Sequence, residues 1–376
     1  MKIMTIFGTR PEAIKMAPLV LALSDNPIIE SRVCVTGQHR EMLDQVLDLF
    51  GIRPDYDLNI MKSGQTLSEV TSRIVKKLQP ILEGYRPDII LVHGDTSTTF
   101  CAALTAYYNQ IDIGHVEAGL RTGDIYSPWP EEGNRKLVSC LANLNFAPTE
   151  RSKANLLDEG VDSEMVYVTG NTVIDALLLM ERKINTSKLL SSQLRNSFPM
   201  ISDDRKIVLI TGHRRENFGG GFERICESIK RLAEKNKNVD FLYPVHLNPK
   251  VRDPVNKLLS NHQNIHLIEP QGYLEFVYLM MQSHIILTDS GGIQEEAPAL
   301  GKPVLVMRDT TERPEAVSAG TVQLVGTEVE KIVNGVEALL TDSTLYEKMS
   351  RAHNPYGDGD SVKRIIEILV HYGGSK

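Results

Sequence analysis

Residues Asp289-Ser290-Gly291-Gly292-Ile293-Gln294-Glu295-Glu296 have the make-up of an anion site. They follow the apolar run Ile285-Ile286-Leu287-Thr288 and read as a small-residue turn that opens a short helix. Such a turn presents backbone N–H groups with no intrahelical partner, and the helix dipole adds partial positive charge. Glycine lets the backbone approach a phosphate closely. Glu296, about one helical turn in, has the reach to meet ribose hydroxyls. The pattern points to a nucleotide-diphosphate site in the second half of the chain. A plain strand-to-helix turn reads the same way, so this motif needs company.

Charged residues at other strand ends supply it. Gly8-Thr9-Arg10-Pro11-Glu12-Ala13-Ile14-Lys15 follows the first apolar run, and Arg10 and Lys15 are two cations for a phosphate there. In His93-Gly94-Asp95-Thr96, Asp95 fits either an acid–base role or a helix N-cap. In His115-Val116-Glu117-Ala118-Gly119-Leu120-Arg121, Glu117 is a carboxylate at the end of a buried strand, which needs a functional reason. Trp129-Pro130-Glu131-Glu132-Gly133-Asn134-Arg135 places Glu131 and Arg135 four apart, on one face of a helix. As an exposed ion pair alone they are worth under ~1 kcal/mol. His213 ends another strand, where it can donate to an anion, and Arg313 suits a phosphate clamp. The run Gly219-Gly220-Gly221 reads as a flexible loop.

Several chemistries are disfavoured. The loop after the first strand is not G-x-G-x-x-G, and no P-loop pattern occurs. The histidines show no metal-ligand spacing, so neither a metal nor a cofactor is expected. A net charge of −7 argues against nucleic acid held by bulk charge. The chain shows no apolar run near the ~20 residues that span a membrane. Met1-Lys2-Ile3-Met4-Thr5-Ile6-Phe7 is too short for a signal peptide. Four scattered cysteines read as reduced thiols, so a cytoplasmic location is expected.

The elements that must position these groups follow from periodicity. A hydrophobic content of 41% over 376 residues suits two globular domains. Candidate strands at 2–7, 31–36, 89–93, 113–117, 144–147 and 166–169 alternate with helical patterns at 13–23, 41–50, 67–82 and 98–108. The pattern restarts with strands at 206–211, 239–243, 265–268, 285–288, 303–307 and 321–324. This predicts an α/β fold of parallel sheets covered by helices on both faces, with all strand C-terminal ends on one edge. The expected domains are 1–170 and 171–359, with the polar stretch 181–205 read as a linking helix and loop.

Together these segments resemble the non-hydrolysing UDP-N-acetylglucosamine 2-epimerases. The resemblance runs from Phe7-Gly8-Thr9-Arg10-Pro11-Glu12 to His353-Asn354-Pro355-Tyr356-Gly357-Asp358-Gly359, with Gln38-His39-Arg40 among its specific blocks. It implies a GT-B fold, two Rossmann-like domains with a cleft between them, and a last helix near 360–376 that packs back on the first domain. It implies UDP contacts from Arg10, Lys15, Gln271, Phe276, Ser290, Gly291, Gly292, Glu296 and Arg313. Asp95, Glu117, Glu131, Arg135 and His213 match residues tied to catalysis, with Asp95, Glu117 and His213 also on the substrate. Gln38 and His39 match a site where a second UDP-GlcNAc activates some members. The implied assembly is a homodimer, acting on UDP-GlcNAc and UDP-ManNAc to supply ManNAc units for bacterial surface polysaccharide.

Inverting C2 of a UDP-sugar without a nicotinamide calls for expelling UDP first, which makes the C2 hydrogen removable by a carboxylate. Asp95, Glu117 and Glu131 are the carboxylates available, and the sequence leaves open which serves which face. The rival readings are a GT-B glycosyltransferase, a hydrolysing epimerase and a nucleotide-sugar sensor.

Overall fold

Two parallel sheets organise the chain in the computed structural model, which describes every residue except Gln38, His39, Ser63, Ser375 and Lys376. The first sheet comprises β1 (Lys2–Phe7), β2 (Glu30–Val35), β3 (Tyr56–Asp57), β4 (Ile89–His93), β5 (Asp112–Val116), β6 (Leu144–Ala147) and β7 (Val166–Val168), in the order β3-β2-β1-β4-β5-β6-β7. The second comprises β8 (Lys206–Thr211), β9 (Val239–Pro244), β10 (Ile265–Ile268), β11 (Ile285–Thr288), β12 (Val304–Val306) and β13 (Val322–Leu324), in the order β10-β9-β8-β11-β12-β13. Every neighbouring pair runs parallel. Contacts divide the chain into two units, Met1–Ala176 with Tyr356–Lys376, and Leu177–Pro355. Among the described residues no helix is long and apolar enough to cross a membrane.

The central strands are apolar throughout because helices cover both faces of a parallel sheet. β4 reads Ile-Ile-Leu-Val-His and is buried at every residue. In the first unit Met4, Ile6, Ile90 and Val92 pack against Ile74, Leu78 and Leu82 of the helix Leu67–Tyr85. In the second, Val208, Ile210, Phe241 and Leu287 pack against Ile225, Ile229 and Leu232 of the helix Gly220–Lys235. The last helix, Ser361–Gly374, packs against the first, Arg10–Ser24.

Two segments, β3 and the glycine run 219–221, differ from the sequence reading. β3 has two residues at a sheet edge, too few for a hydrophobic period. The polar stretch 181–205, read as a linking helix and loop, holds the end of Thr172–Thr186 and the helix Lys188–Ser197 before its loop. The second of these buries Leu194 and shows solvent its remaining faces, which hides the period. The three glycines do not form a loop. Gly219 caps the helix and Gly220 begins it, because Phe222, Ile225 and Ile229 bury one face and override the poor propensity of glycine.

The strand orders set the functional edge. The strand order of each sheet reverses beside its first strand, between β1 and β4 and between β8 and β11. In open parallel sheets such switch points leave a crevice outside the strands' carboxyl ends. Gly8 and His93 stand at the first, Gly212 and Asp289 at the second.

Candidate functional site

The first unit's switch point is braced by one buried carboxylate. Thr9 caps the helix Arg10–Ser24 in a capping box with Glu12. Glu12 Oε2 accepts the backbone N–H groups of Gly8 at 2.9 Å and Thr9 at 2.7 Å. Its Oε1 accepts the hydroxyls of Thr96 at 2.6 Å and Thr99 at 3.2 Å. Thr96 in turn caps the helix Ser97–Tyr108, so Glu12 joins the loops after β1 and β4. Burial pushes the Glu12 carboxyl upward, against these hydrogen bonds. A Cβ on Gly8 would lie 1.9 Å from Thr36 Oγ1, which makes glycine a requirement there.

Asp95 follows β4 and does not cap the next helix, since Thr96 does. It forms an ion pair with Arg135, and its carbonyl accepts from Asn134 Nδ2 at 2.8 Å. Arg135 also reaches the fully buried Glu132, 3.2 Å away. The helix Glu131–Leu141 thus grips the β4 loop by side chain and backbone. Arg135 pairs with Asp95 and Glu132, and Glu131, on the same helix, is left with Oε2 buried and no hydrogen-bond partner among the described residues. A buried acceptor without a donor is costly, so Glu131 is suited to meeting a ligand or a proton.

Glu117 stands just past β5 with φ of 63°, a left-handed conformation that costs a non-glycine residue about 1–3 kcal/mol. The side chain is buried and ion-paired with Lys15. Asn171 Nδ2 donates to its Oε2 at 2.8 Å. His93 Nε2 lies 4.0 Å from its Oε1. Burial outweighs that carboxylate and pushes His93 down to about 3. His115 is likewise pushed to about 4, by burial opposed by its 2.7 Å bond to Gly94 O. Both imidazoles are therefore neutral at physiological pH. Gly94 lies beside Glu117, and its N–H donates to Val116 O at 2.9 Å, so the Asp95 and Glu117 loops are laced together.

The second unit's switch point carries the anion turn. Asp289 is fully buried, and its Oδ2 accepts the backbone N–H groups of His213 and Arg214, each at 2.8 Å. This fixes the loop after β8 against the start of the helix Gly291–Ala299. His213 Nδ1 lies 3.6 Å from Asp289 Oδ1, and its ring stacks on His246 with centroids 5.4 Å apart. Burial moves His213 downward, with Asp289 opposing. Ser290 caps the helix without a side-chain bond, which leaves its first N–H groups presented. A Cβ on Gly291 would stand 3.7 Å from Arg214 Nη2 and 4.0 Å from Arg313 Nη2. Two guanidinium groups thus flank a helix N-terminus, a setting for a diphosphate.

The Arg313 loop is tied to this turn. Arg313 pairs with the buried Glu295, and Gln294 joins Ser290 O at 3.1 Å to the Thr311 hydroxyl at 2.6 Å. Buried Arg308 forks between Glu216 at 2.5 Å and Glu312 at 2.8 Å. Burial would raise the Glu312 carboxyl, but Arg308 holds it down at about 2. Tyr273 O–H points to Glu296 Oε2 at 3.4 Å, which brings the helix Tyr273–Gln282, carrying half-buried Phe276, beside Glu296. Gln271, just before that helix, donates to Glu269 O at 2.6 Å.

Within the first unit, then, Lys15 with Glu117 and Arg135 with Asp95 form two separate ion pairs, with Arg10 opening the helix that carries Lys15. Within the second, His213, Ser290, Gly291, Arg313 and Glu296 border the turn. Gln38 and His39 lie outside the described residues. Sequence reasoning gave no role to Arg214, whose Nε is buried without a partner among the described residues, or to Asn171 and Glu295. The capping-box spacing of Thr9 and Glu12 was a readable signal. For Asn171, 54 residues from its partner, no sequence signal exists.

A family profile described as UDP-N-acetylglucosamine 2-epimerase matches residues 21–370. A probable UDP-N-acetylglucosamine 2-epimerase of Ralstonia solanacearum is 62% identical over 371 residues, covering 99% of both chains. The UDP-N-acetylglucosamine 2-epimerase of Escherichia coli K12 is 60% identical over 369 residues, covering 98% of each. Among solved structures, UDP-GlcNAc 2-epimerase from Neisseria meningitidis bound to UDP-GlcNAc is 58% identical and superposes with a TM-score of 0.91, covering 99% of this chain and all of that one.

Proposed function

The chain belongs to the UDP-N-acetylglucosamine 2-epimerase family, with its two-domain GT-B α/β fold, and on that premise we propose that it interconverts UDP-GlcNAc and UDP-ManNAc. The observation that carries this reading is the buried carboxylate Glu117, held in a left-handed conformation beside the Asp95–Arg135 pair. A protein that only bound an anion would gain nothing from acidic groups at that edge. An enzyme that moves a proton at C2 needs them.

The reaction removes the C2 proton to a carboxylate while the C1–O bond breaks and its electron pair leaves on the UDP β-phosphate. A C1–C2 double bond forms, giving 2-acetamidoglucal and UDP. A second carboxylic acid then protonates C2 on the opposite face, and the UDP oxygen rejoins C1. Asp95, Glu117 and Glu131 are the acid–base groups, and Arg135 pairs with Asp95. Ser290, Gly291, Gly292, Arg313 and His213 take the departing diphosphate, with Arg10 and Lys15 as further cations. Gln271, Phe276 and Glu296 take the nucleoside end.

The same reading makes the protein a cytoplasmic homodimer that supplies ManNAc units for surface polysaccharide, with light scattering as the test of assembly. The activity is tested by NMR in D2O with UDP-GlcNAc alone. UDP-ManNAc should appear, and product and recovered substrate should carry deuterium at C2. A glycosyltransferase gives no epimer, a hydrolysing enzyme gives free ManNAc, and epimer that retains the original C2 hydrogen refutes the elimination route.

A further inference from the structure

Glu117 has a backbone that does not aim its side chain as a strand residue would, so something else must hold the carboxylate. We propose that Asn171 is a positioning residue that fixes Glu117 for proton transfer at C2. The proposal rests on the function given above. Asn171 is 2% exposed and pinned at three points. Its Oδ1 accepts the Val173 N–H at 3.1 Å, at the start of the helix Thr172–Thr186. Its own N–H donates to Tyr356 O at 2.7 Å, where the chain re-enters the first unit. With Oδ1 taken by a backbone donor, the amide has one orientation, and its Nδ2 donates to Glu117 Oε2 at 2.8 Å.

The ammonium of Lys15, from the first helix, meets the same oxygen. His93 from β4, 4.0 Å from Oε1, and His115 from β5 also face Glu117, both neutral through burial. Asn171 and Lys15 therefore act together: one supplies charge, the other a fixed direction. A donor to the ionised carboxylate also favours that form, which a base needs. A helix cap alone would be served equally by Asp or Ser. Neither supplies an N–H aimed at Glu117.

That difference gives the test. Asn171→Asp keeps the cap, removes the donor and adds a negative charge. Asn171→Ser keeps the cap without the charge, and decides the matter should the Asp variant fail to fold. In both, kcat should fall about tenfold or more while KM for UDP-GlcNAc stays within about threefold. The acid limb of the kcat–pH profile should move to higher pH, furthest in Asn171→Asp. Deuterium wash-in at C2 should fall in step. Independently of activity, the 13C-carboxyl titration of Glu117, assigned with Glu117→Gln, should shift upward in both variants. Wild-type kcat, profile and titration in Asn171→Ser would overturn the proposal and leave Asn171 a helix cap. An inactive wild type would instead overturn the function, with the titration still reporting the Asn171–Glu117 link.

Discussion

Lys15 is ion-paired with Glu117, 102 residues away along the chain, so a cation on the first helix is committed to a carboxylate just past β5. The pair is largely buried, with side-chain exposures of 16% and 7%. A buried charge of either sign is unfavourable alone, so each residue holds the other in place. In the proposed reaction Lys15 would therefore hold Glu117 in place as well as meet a phosphate.

Glu117→Gln and Asp95→Asn should each lower kcat by about 100-fold or more, because an amide cannot relay a proton. The loss should fall on turnover rather than on UDP binding measured by calorimetry, since the proposed role of both carboxylates is proton transfer at C2. Near-normal turnover in both variants would remove them from the chemistry.

Gly291→Ala should fold normally and bind UDP about 10- to 100-fold more weakly. The added methyl meets no atom closer than 3.7 Å, yet it occupies the space between Arg214 and Arg313. Unchanged melting with weakened UDP binding is the expected pair of results. Unaltered binding would place the diphosphate elsewhere.

Gly8→Ala should destabilise the first unit by about 1–3 kcal/mol, because its methyl would stand 1.9 Å from Thr36 Oγ1. Denaturant unfolding measures this directly. A loss confined to activity, with stability intact, would contradict the packing argument.

Stability should fall as pH drops from about 6.5 toward 4. His93 and His115 are held neutral in the fold, at about 3 and about 4, while both take up protons near 6.5 once unfolded. The unfolded state thus binds more protons below 6.5, so the free energy of unfolding rises with pH and levels off above it. Each histidine adds a slope of at most about 1.4 kcal/mol per pH unit in that window. Denaturant curves for wild type and His115→Gln should show the variant with the shallower slope.

Glu312 should act in a lower window. Its folded value, about 2, lies below its ordinary 4.5, so its pairing with Arg308 stabilises the fold above pH 4.5 and is lost as pH falls toward 2. The stability difference between wild type and Glu312→Gln should be largest near neutrality and shrink across that range. A constant difference would show that the ion pair contributes nothing through ionisation.

The strands that carry the site were legible because central parallel strands are continuous apolar runs. β1, β4, β8, β10 and β11 have the bounds that the sequence reading gave them. β3 was hidden by its length, and the bounds of the linking helix Lys188–Ser197 by its solvent-facing surface. Arg214, next to His213 in the chain, carries no sequence signal that sets it apart from a solvated base. Asp95 was open between acid–base group and cap until Thr96 was seen to take the cap.

Local chemistry is written along the chain. A strand, a glycine turn and a helix start at 285–296 announce an anion site, and the Thr9–Glu12 spacing announces a capping box, because each depends on residues a few positions apart. The pairings Lys15 with Glu117, Asn171 with Glu117, Arg135 with Asp95 and Arg308 with Glu216 belong to the tertiary structure alone. They depend on which strands lie side by side and on how deeply each charge is buried. Strand order and burial are decided by packing across the whole sheet, and no short stretch of sequence contains them.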